Sequence, residues 1–282
     1  MNATALSVTR LNTTVFRRMV YGYFKKHGRD LPWRYQVTPY RVLVSEIMLQ
    51  QTQVDRVIPA FKRFIKTFPT IRSLADASLR DVLAAWQGLG YNRRARFLHE
   101  TAQRMVKEYH GRVPADPIVL ETFPGIGKNT AASICAFAFD APVIFIETNI
   151  RSVYIKYFFS GMASVRDEDI LNIVAHTMDR KHPRQWYSAL MDFGSDLKKR
   201  ESNPSRKSAH YVRQKPFKGS VRETRGAIMR ALLAHPQGMT AKALLGQEHV
   251  SGAHLKDVLV ALNKEGVITN KKTSAGKKFF IA

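Results

Sequence analysis

Val42-Leu43-Val44-Ser45-Glu46-Ile47-Met48-Leu49-Gln50-Gln51-Thr52-Gln53 sets one carboxylate inside an apolar run. The run predicts a helix packed into a core, and Glu46 is the residue that does not belong there. Burying a charge is costly, so such a carboxyl has its pKa raised until it can give up and take back a proton near neutral pH. Glu46, Gln50 and Gln53 recur at i, i+4 and i+7, which predicts one polar stripe on a helix whose other faces are apolar. A stripe of that kind can line a cleft.

The chain has 282 residues, room for one large domain or two ordinary ones. Hydrophobic residues make up 45% of it, ample for a core. Its charge is far from ordinary: 45 Lys+Arg face 22 Asp+Glu, a formal +23. A field that strong favours polyanions, nucleic acid first. Cys135 is the sole cysteine, which excludes intrachain disulfides and all-cysteine metal sites. Its neighbours Ile134, Ala136 and Phe137 predict core packing. The first residues are polar and lack the apolar core of a secretory signal. No apolar run reaches the ~18 residues of a membrane span. Cytoplasm or nucleoid is the expected location.

The first two hundred residues read as almost wholly helical. Val15, Phe16, Met19, Val20, Tyr23 and Phe24 form an amphipathic stripe that stops near Gly28. A loop through Trp33 and Arg34 follows. Phe61, Phe64, Ile65 and Phe68 mark a further helix, and Ser78 with Asp81 makes a capping box before Val82, Leu83 and Trp86. Gly88-Leu89-Gly90 breaks the chain before a helix that opens on Arg93, Arg94 and Arg96. Residues 198–219 change character: Lys and Arg dominate, Ser, Asn and Pro are frequent, and no apolar period is visible. They predict a basic linker that orders on meeting phosphates. Residues 220–282 predict three helices and a terminal hairpin around Ser274-Ala275-Gly276, the outline of a winged helix.

Phe123-Pro124-Gly125-Ile126-Gly127-Lys128-Asn129-Thr130 opens another helix. Two glycines let the backbone turn tightly and approach a ligand. The helix start offers N–H groups and a partial positive charge, to which Lys128 adds a full one, so the segment suits a phosphate. A P-loop would need glycine where Thr122 stands.

Four collinear motifs carry a resemblance: Leu31-Pro32-Trp33-Arg34, Ser45 to Val54, Gly88-Leu89-Gly90-Tyr91, and Phe123 to Gly127. Over roughly residues 14–196 the chain resembles the A/G-specific adenine DNA glycosylases (MutY type) of the helix-hairpin-helix base-excision superfamily. The resemblance implies an all-α, two-lobed fold, with lobes at about 38–138 and 1–37 plus 139–197 and an active cleft between them; the small α+β winged-helix-like domain read from residues 220–282 is appended to it. It implies a monomer acting on double-stranded DNA with a mispair, removing adenine opposite guanine or 8-oxoguanine after extruding the nucleotide. Glu46 matches the catalytic acid that protonates N7 of adenine. Gln51 matches the residue wedged into the base stack, flanked by Gln50 and Thr52. Leu89 and Tyr91 match contacts to the opposite base, and Trp33 and Arg34 match a loop bordering the adenine pocket. Gly125, Gly127, Lys128, Asn129 and Thr130 match the DNA-binding hairpin.

The chain departs from that family in four places. The family's second acid is an aspartate followed two residues later by asparagine; here Glu147 and Asn149 stand there. Glu147 would stabilise an oxocarbenium-like transition state with Asn149 orienting it, but its longer arm needs a shifted backbone or a folded rotamer. The attacking lysine of endonuclease III-type relatives is replaced by Asn129, and Lys128 points about 100° away on a helix. This implies a monofunctional enzyme with water as nucleophile. The family carries four cysteines after Met-Asp-Leu-Gly that ligate an iron–sulfur cluster; Met191-Asp192-Phe193-Gly194 is followed by none, so no cofactor is expected. The C-terminal domain does not resemble the family's reader of oxidised guanine. Two rivals stay open: the same chemistry on thymine or uracil, and a non-catalytic DNA-binding protein.

Overall fold

A computed structural model of the chain describes residues 11–209, 211, 216–274 and 276–282. The polar N-terminal residues, Arg213 and Lys215 of the basic stretch, and Ala275 of the expected turn lie outside them. In chain order the helices are α1 (Thr13–His27), α2 (Pro39–Leu49), α3 (Val54–Thr67), α4 (Ile71–Ala75), α5 (Leu79–Ala85), α6 (Arg93–Tyr109), α7 (Pro117–Glu121), α8 (Lys128–Phe139), α9 (Thr148–Phe158), α10 (Asp167–Thr177), α11 (Pro183–Arg200), α12 (Val221–Ala234), α13 (Ala241–Leu245) and α14 (Gly252–Lys264). Three strands, β1 (Met239–Thr240), β2 (Ile268–Thr273) and β3 (Gly276–Ile281), fall in the C-terminal quarter. The contacts divide the chain into two units. The first holds the described residues of Met1–Leu43, Pro114–Thr122 and Ile126–Arg213; the second holds those of Val44–Val113, Phe123–Gly125 and Gln214–Ala282.

In the first unit, Asn12 caps α1 by accepting from the Thr14 N–H at 2.8 Å, and α1 stops at Gly28 behind Lys25, Lys26 and His27. Cations in the last turn suit the negative end of the helix. Phe16 and Val20 are fully buried. The Phe16 ring stands edge-on to Tyr154 at 5.4 Å, Phe158 at 4.9 Å and Trp186 at 5.8 Å. Each such pair contributes about 1 kcal/mol beyond the burial of its area.

Asp192 anchors the loop after α1. Its carboxylate accepts from Arg29 Nε at 2.7 Å, the Arg29 N–H at 2.7 Å, Arg34 Nη1 at 2.7 Å and Arg34 Nη2 at 2.8 Å. Burial pushes this carboxyl up, but the Arg34 hydrogen bonds, with Arg29, outweigh it and hold it below the usual carboxylate range. Two residues on, a Cβ on Gly194 would collide with the Asn149 carbonyl, so α11 meets the start of α9 backbone to backbone.

The basic stretch carries more structure than its composition predicts. Lys198, Lys199 and Arg200 close α11, and Pro204–Lys207 form a 3-10 turn. Asn203 caps that turn by accepting from the Ser205 N–H at 3.1 Å, and it also accepts from Ser152 Oγ at 3.3 Å. Val165 donates to the Lys207 carbonyl at 2.9 Å and accepts from the Ala209 N–H at 3.0 Å. These contacts are polar, so no apolar period announced them.

In the second unit Phe64 stands edge-on to Trp86 at 5.9 Å, both fully buried. Ser78 accepts from the Asp81 N–H at 3.1 Å, the cap that the sequence predicts. The C-terminal residues form the predicted three helices and hairpin, with β1 added to give the antiparallel order β1-β3-β2. A two-residue strand is too short to leave a pattern. Arg80 of α5 donates to the Leu233 carbonyl at the end of α12, and Arg96 of α6 donates to the Glu265 carbonyl just past α14. Two cations thus cover two negative helix ends.

Asp192→Asn should lower stability at neutral pH by about 3 kcal/mol, because Arg29 and Arg34 lose their shared acceptor. Wild-type stability from this group is full above the unfolded carboxylate pKa of about 4 and is lost as pH falls through the lower folded value. Urea titrations of both proteins from neutral to acid pH should show that step in the wild type and its absence in Asp192→Asn.

Candidate active site

Glu46 is half-buried one turn before the C-terminal end of α2. The helix stops at Leu49, and Gln51 takes a left-handed φ of 52°. This corrects the expected stripe. Gln50 to Thr52 form a turn, and Gln53 is the N-cap of α3 rather than a third rung on α2. Gln50 Nε2 reaches the Gly125 carbonyl at 3.1 Å, which ties the end of α2 to the hairpin.

Arg94 is why α2 ends there, and the sequence reading missed its role. Nη1 donates to the carbonyls of Ile47 at 2.7 Å, Met48 at 2.9 Å and Gln50 at 2.6 Å. Nη2 donates to Thr52 Oγ1 at 2.9 Å and to the Gly90 carbonyl at 3.3 Å. The last carbonyls of a helix lack intrahelical donors, and a cation there also meets the negative end of the dipole. Burial lowers its pKa to about 10, so it stays charged at neutral pH. The guanidinium also lies over the rings of Trp86 at 5.4 Å and Tyr91 at 5.5 Å. A signal existed: Arg94 heads the α6 row that continues in buried Leu98, Ala102 and Met105.

The same cation braces the second loop. Gly88 and Gly90 have φ of 91° and 71°, and Tyr91 is left-handed at 47°. Tyr91 is exposed, whereas Leu89 is buried at 2% exposure. At the hairpin, Gly125 has φ 78°, and a Cβ there would sit 2.8 Å from the Phe97 ring. Gly127 is the N-cap of α8 and supplies no side-chain bond. Gly125, Gly127, Lys128 and Asn129 are exposed and Thr130 is half-buried, so the positive end of α8 opens to solvent.

In the first unit Glu147 is the N-cap of α9. Its Oε1 accepts from the Asn149 N–H at 2.7 Å and the Ile150 N–H at 3.0 Å, and Oε2 accepts from Asn149 Nδ2 at 3.1 Å. The extra methylene is absorbed by curling the side chain back onto its own helix. Asn149 thus donates to both oxygens of the carboxylate. Burial pushes the Glu147 carboxyl above its ordinary range, against the pull of these donors and of the nearby Lys198 charge. Lys198 follows Gly194 by one turn of α11, so the close approach at Gly194 carries it toward Glu147. Burial lowers its pKa, and Arg29 adds to that. Trp33 is buried at 9% exposure, and the guanidinium of Arg34 is taken up by Asp192.

The donor set does not fit an iron–sulfur cluster. The one thiol, Cys135, is fully buried in α8, donates to the Ala115 carbonyl at 3.1 Å, and has its pKa pushed up to about 11 by burial. Among the described residues no group of three or more His, Cys, Asp or Glu could hold a metal ion. No helix among them is long and apolar enough to cross a membrane.

Residues 44–172 match the model of the HhH-GPD superfamily of base excision DNA repair proteins. Over 174 residues the chain is 44% identical to the adenine DNA glycosylase of Mycolicibacterium smegmatis, covering 60% of this chain and 58% of that one. Over 187 residues it is 36% identical to the adenine DNA glycosylase of Buchnera aphidicola, covering 66% and 53%. The chain thus spans little more than half the length of these curated relatives. A thermostable thymine-DNA glycosylase shares the fold at TM-score 0.59 and 22% identity, over 69% of this chain and 91% of that one. Within the matched stretch, Arg94 is the residue on which the Glu46 helix end and the Gly88–Tyr91 loop both depend. Arg94→Met should cost about 3 kcal/mol, read from the urea midpoint. It should also raise amide hydrogen exchange at Gln50–Thr52 and Gly90–Tyr91 above that of the α6 core; uniform exchange changes would refute the bracing role.

Proposed function

We propose that this chain is a DNA glycosylase that hydrolyses the N-glycosidic bond of adenine mispaired with guanine or 8-oxoguanine. It acts as a monomer on double-stranded DNA, with water as nucleophile and no iron–sulfur cluster. One observation carries the reading. Glu46 is a half-buried carboxylate near the end of α2, beside a turn braced by Arg94, within a region similar to adenine DNA glycosylases. A plain DNA-binding protein has no use for a carboxylate in that setting.

The chemistry follows from the side chains. Glu46 gives its proton to N7 of adenine, the C1′–N9 bond breaks with its electron pair going to the base, and C1′ becomes oxocarbenium-like. The negative charge of Glu147, fixed by α9 and Asn149, stabilises that cation. Water then adds to C1′ and its proton returns to Glu46. Asn129 in place of an amine leaves water as the nucleophile.

Single-turnover reactions over a panel of mispairs, followed by alkali to reveal abasic sites, test the assignment. Adenine should be released opposite guanine or 8-oxoguanine, and release of thymine or uracil alone would overturn it. Glu46→Gln should slow release at least about 100-fold while leaving duplex affinity near normal. Unchanged turnover in that variant would remove the assigned role.

The acid limb of the rate profile should report Glu147. Its carboxylate form is the useful one, and its pKa lies above the ordinary value, so release should fall as pH drops through that raised value. Lys198→Met removes the opposing positive charge, raises that pKa further and should move the limb to higher pH; Lys198→Arg should restore it. A limb that stays in place in Lys198→Met would show that Lys198 only packs.

A further inference from the structure

The terminal hairpin pairs like charges. Lys271 lies directly opposite Lys278, and Lys272 directly opposite Lys277. Lys271, Lys272 and Lys277 are exposed, and Lys278 is half-buried. Like charges directly across a strand pair destabilise it. Residues 267–282 contain no acid, and the nearest one before them, Glu265, is held by Arg225 at 2.6 Å. The folded protein therefore offers these lysines no compensating charge from their own hairpin.

Edge protection explains only half of this. Lysines on an exposed edge strand discourage strand addition from another chain. That suits Lys271 and Lys272, since β2 is an edge. It does not suit Lys278, which lies on the central strand between Thr240 of β1 and Lys271 of β2. Side chains alternate across a strand, so the 271/278 pair projects from one face and the 272/277 pair from the other. A narrow ribbon with two cations on each face matches a slot with negative walls on both sides. A groove of duplex DNA, bounded by two rows of phosphates, is such a slot and is wide enough for a two-stranded ribbon.

The hairpin is also held in place. Arg80 and Arg96 fasten α12 and the end of α14 to the helices α5 and α6 of the same unit. The helices on which the hairpin packs are thus fastened to α5 and α6.

We propose that the β2–β3 hairpin is a DNA-docking surface that seats in a groove of duplex DNA, its four lysines meeting phosphates on both sides. It is separate from the residues assigned to base release, and it rests on the proposed function only in taking DNA as the partner. The test is fluorescence-anisotropy binding of the full chain to a fully matched duplex, over about 50 to about 200 mM salt. With Lys271, Lys272, Lys277 and Lys278 all changed to Gln, affinity at the low-salt end should fall at least about tenfold. The slope of log affinity against log salt should become shallower by up to about 3.6, the value for four lost phosphate contacts. The melting temperature of the free variant should hold or rise, because the repelling pairs are gone. The matching variant with all four changed to Arg should keep wild-type affinity. Unchanged affinity and slope in the Gln variant would overturn the proposal. So would equal losses in the Gln and Arg variants, which would mean that charge is not what is read. Equal losses on a single strand of the same sequence would overturn the groove. Adenine release at saturating enzyme should be the same in the Gln variant as in wild type. A wild-type protein that releases no base, yet shows the salt-slope change, would refute only the glycosylase reading.

Discussion

The guanidinium of Arg94 is the fixed point from which the end of α2 and the Gly88–Tyr91 loop are held. Five acceptors converge on it from two loops, and three of them are carbonyls at the end of α2. Gln51 and Tyr91 both hold left-handed backbone, a conformation that costs about 1 kcal/mol or more for a residue with a side chain. Hydrogen bonds from a charged donor contribute about 1.5–3 kcal/mol each, so one buried cation offsets the strain of both loops. Glu46 inherits its position from that arrangement, because the helix that carries it is closed by Arg94 one turn later.

The first unit relies on close packing. Gly194 lets α11 touch the start of α9, Asp192 gathers the two arginines of the preceding loop, and Lys198 brings charge toward Glu147. After α11, Asn203 and the 3-10 turn hold the chain against α9 and Val165. Ordinary hydrogen bonds thus fix the stretch where the resembling family places cluster-binding cysteines.

Much of this was legible in the sequence. The apolar period of α1, the Ser78 cap, the hairpin glycines and the C-terminal outline all left local marks, because each is set by neighbours within a few residues. The stripe beyond Gln50 was misread. Its polar residues kept helical spacing, while the helix was ended by an arginine more than forty residues away in the chain. Leu89 and Arg34 show the same limit: whether a side chain reaches outward or is taken up inside depends on partners that spacing does not reveal. Glu147 was legible as a carboxylate of unusual length, but its folding back onto α9 required seeing which N–H groups lay in reach.

Glu147 serves two masters. The oxygens that cap α9 and the charge they carry belong to one group, so the helix start and the local charge cannot be adjusted separately. Oε1 accepts from two backbone amides and Oε2 from one side-chain amide, so Oε2 is the less engaged oxygen. Any substitution at this position changes the helix cap and the buried charge together.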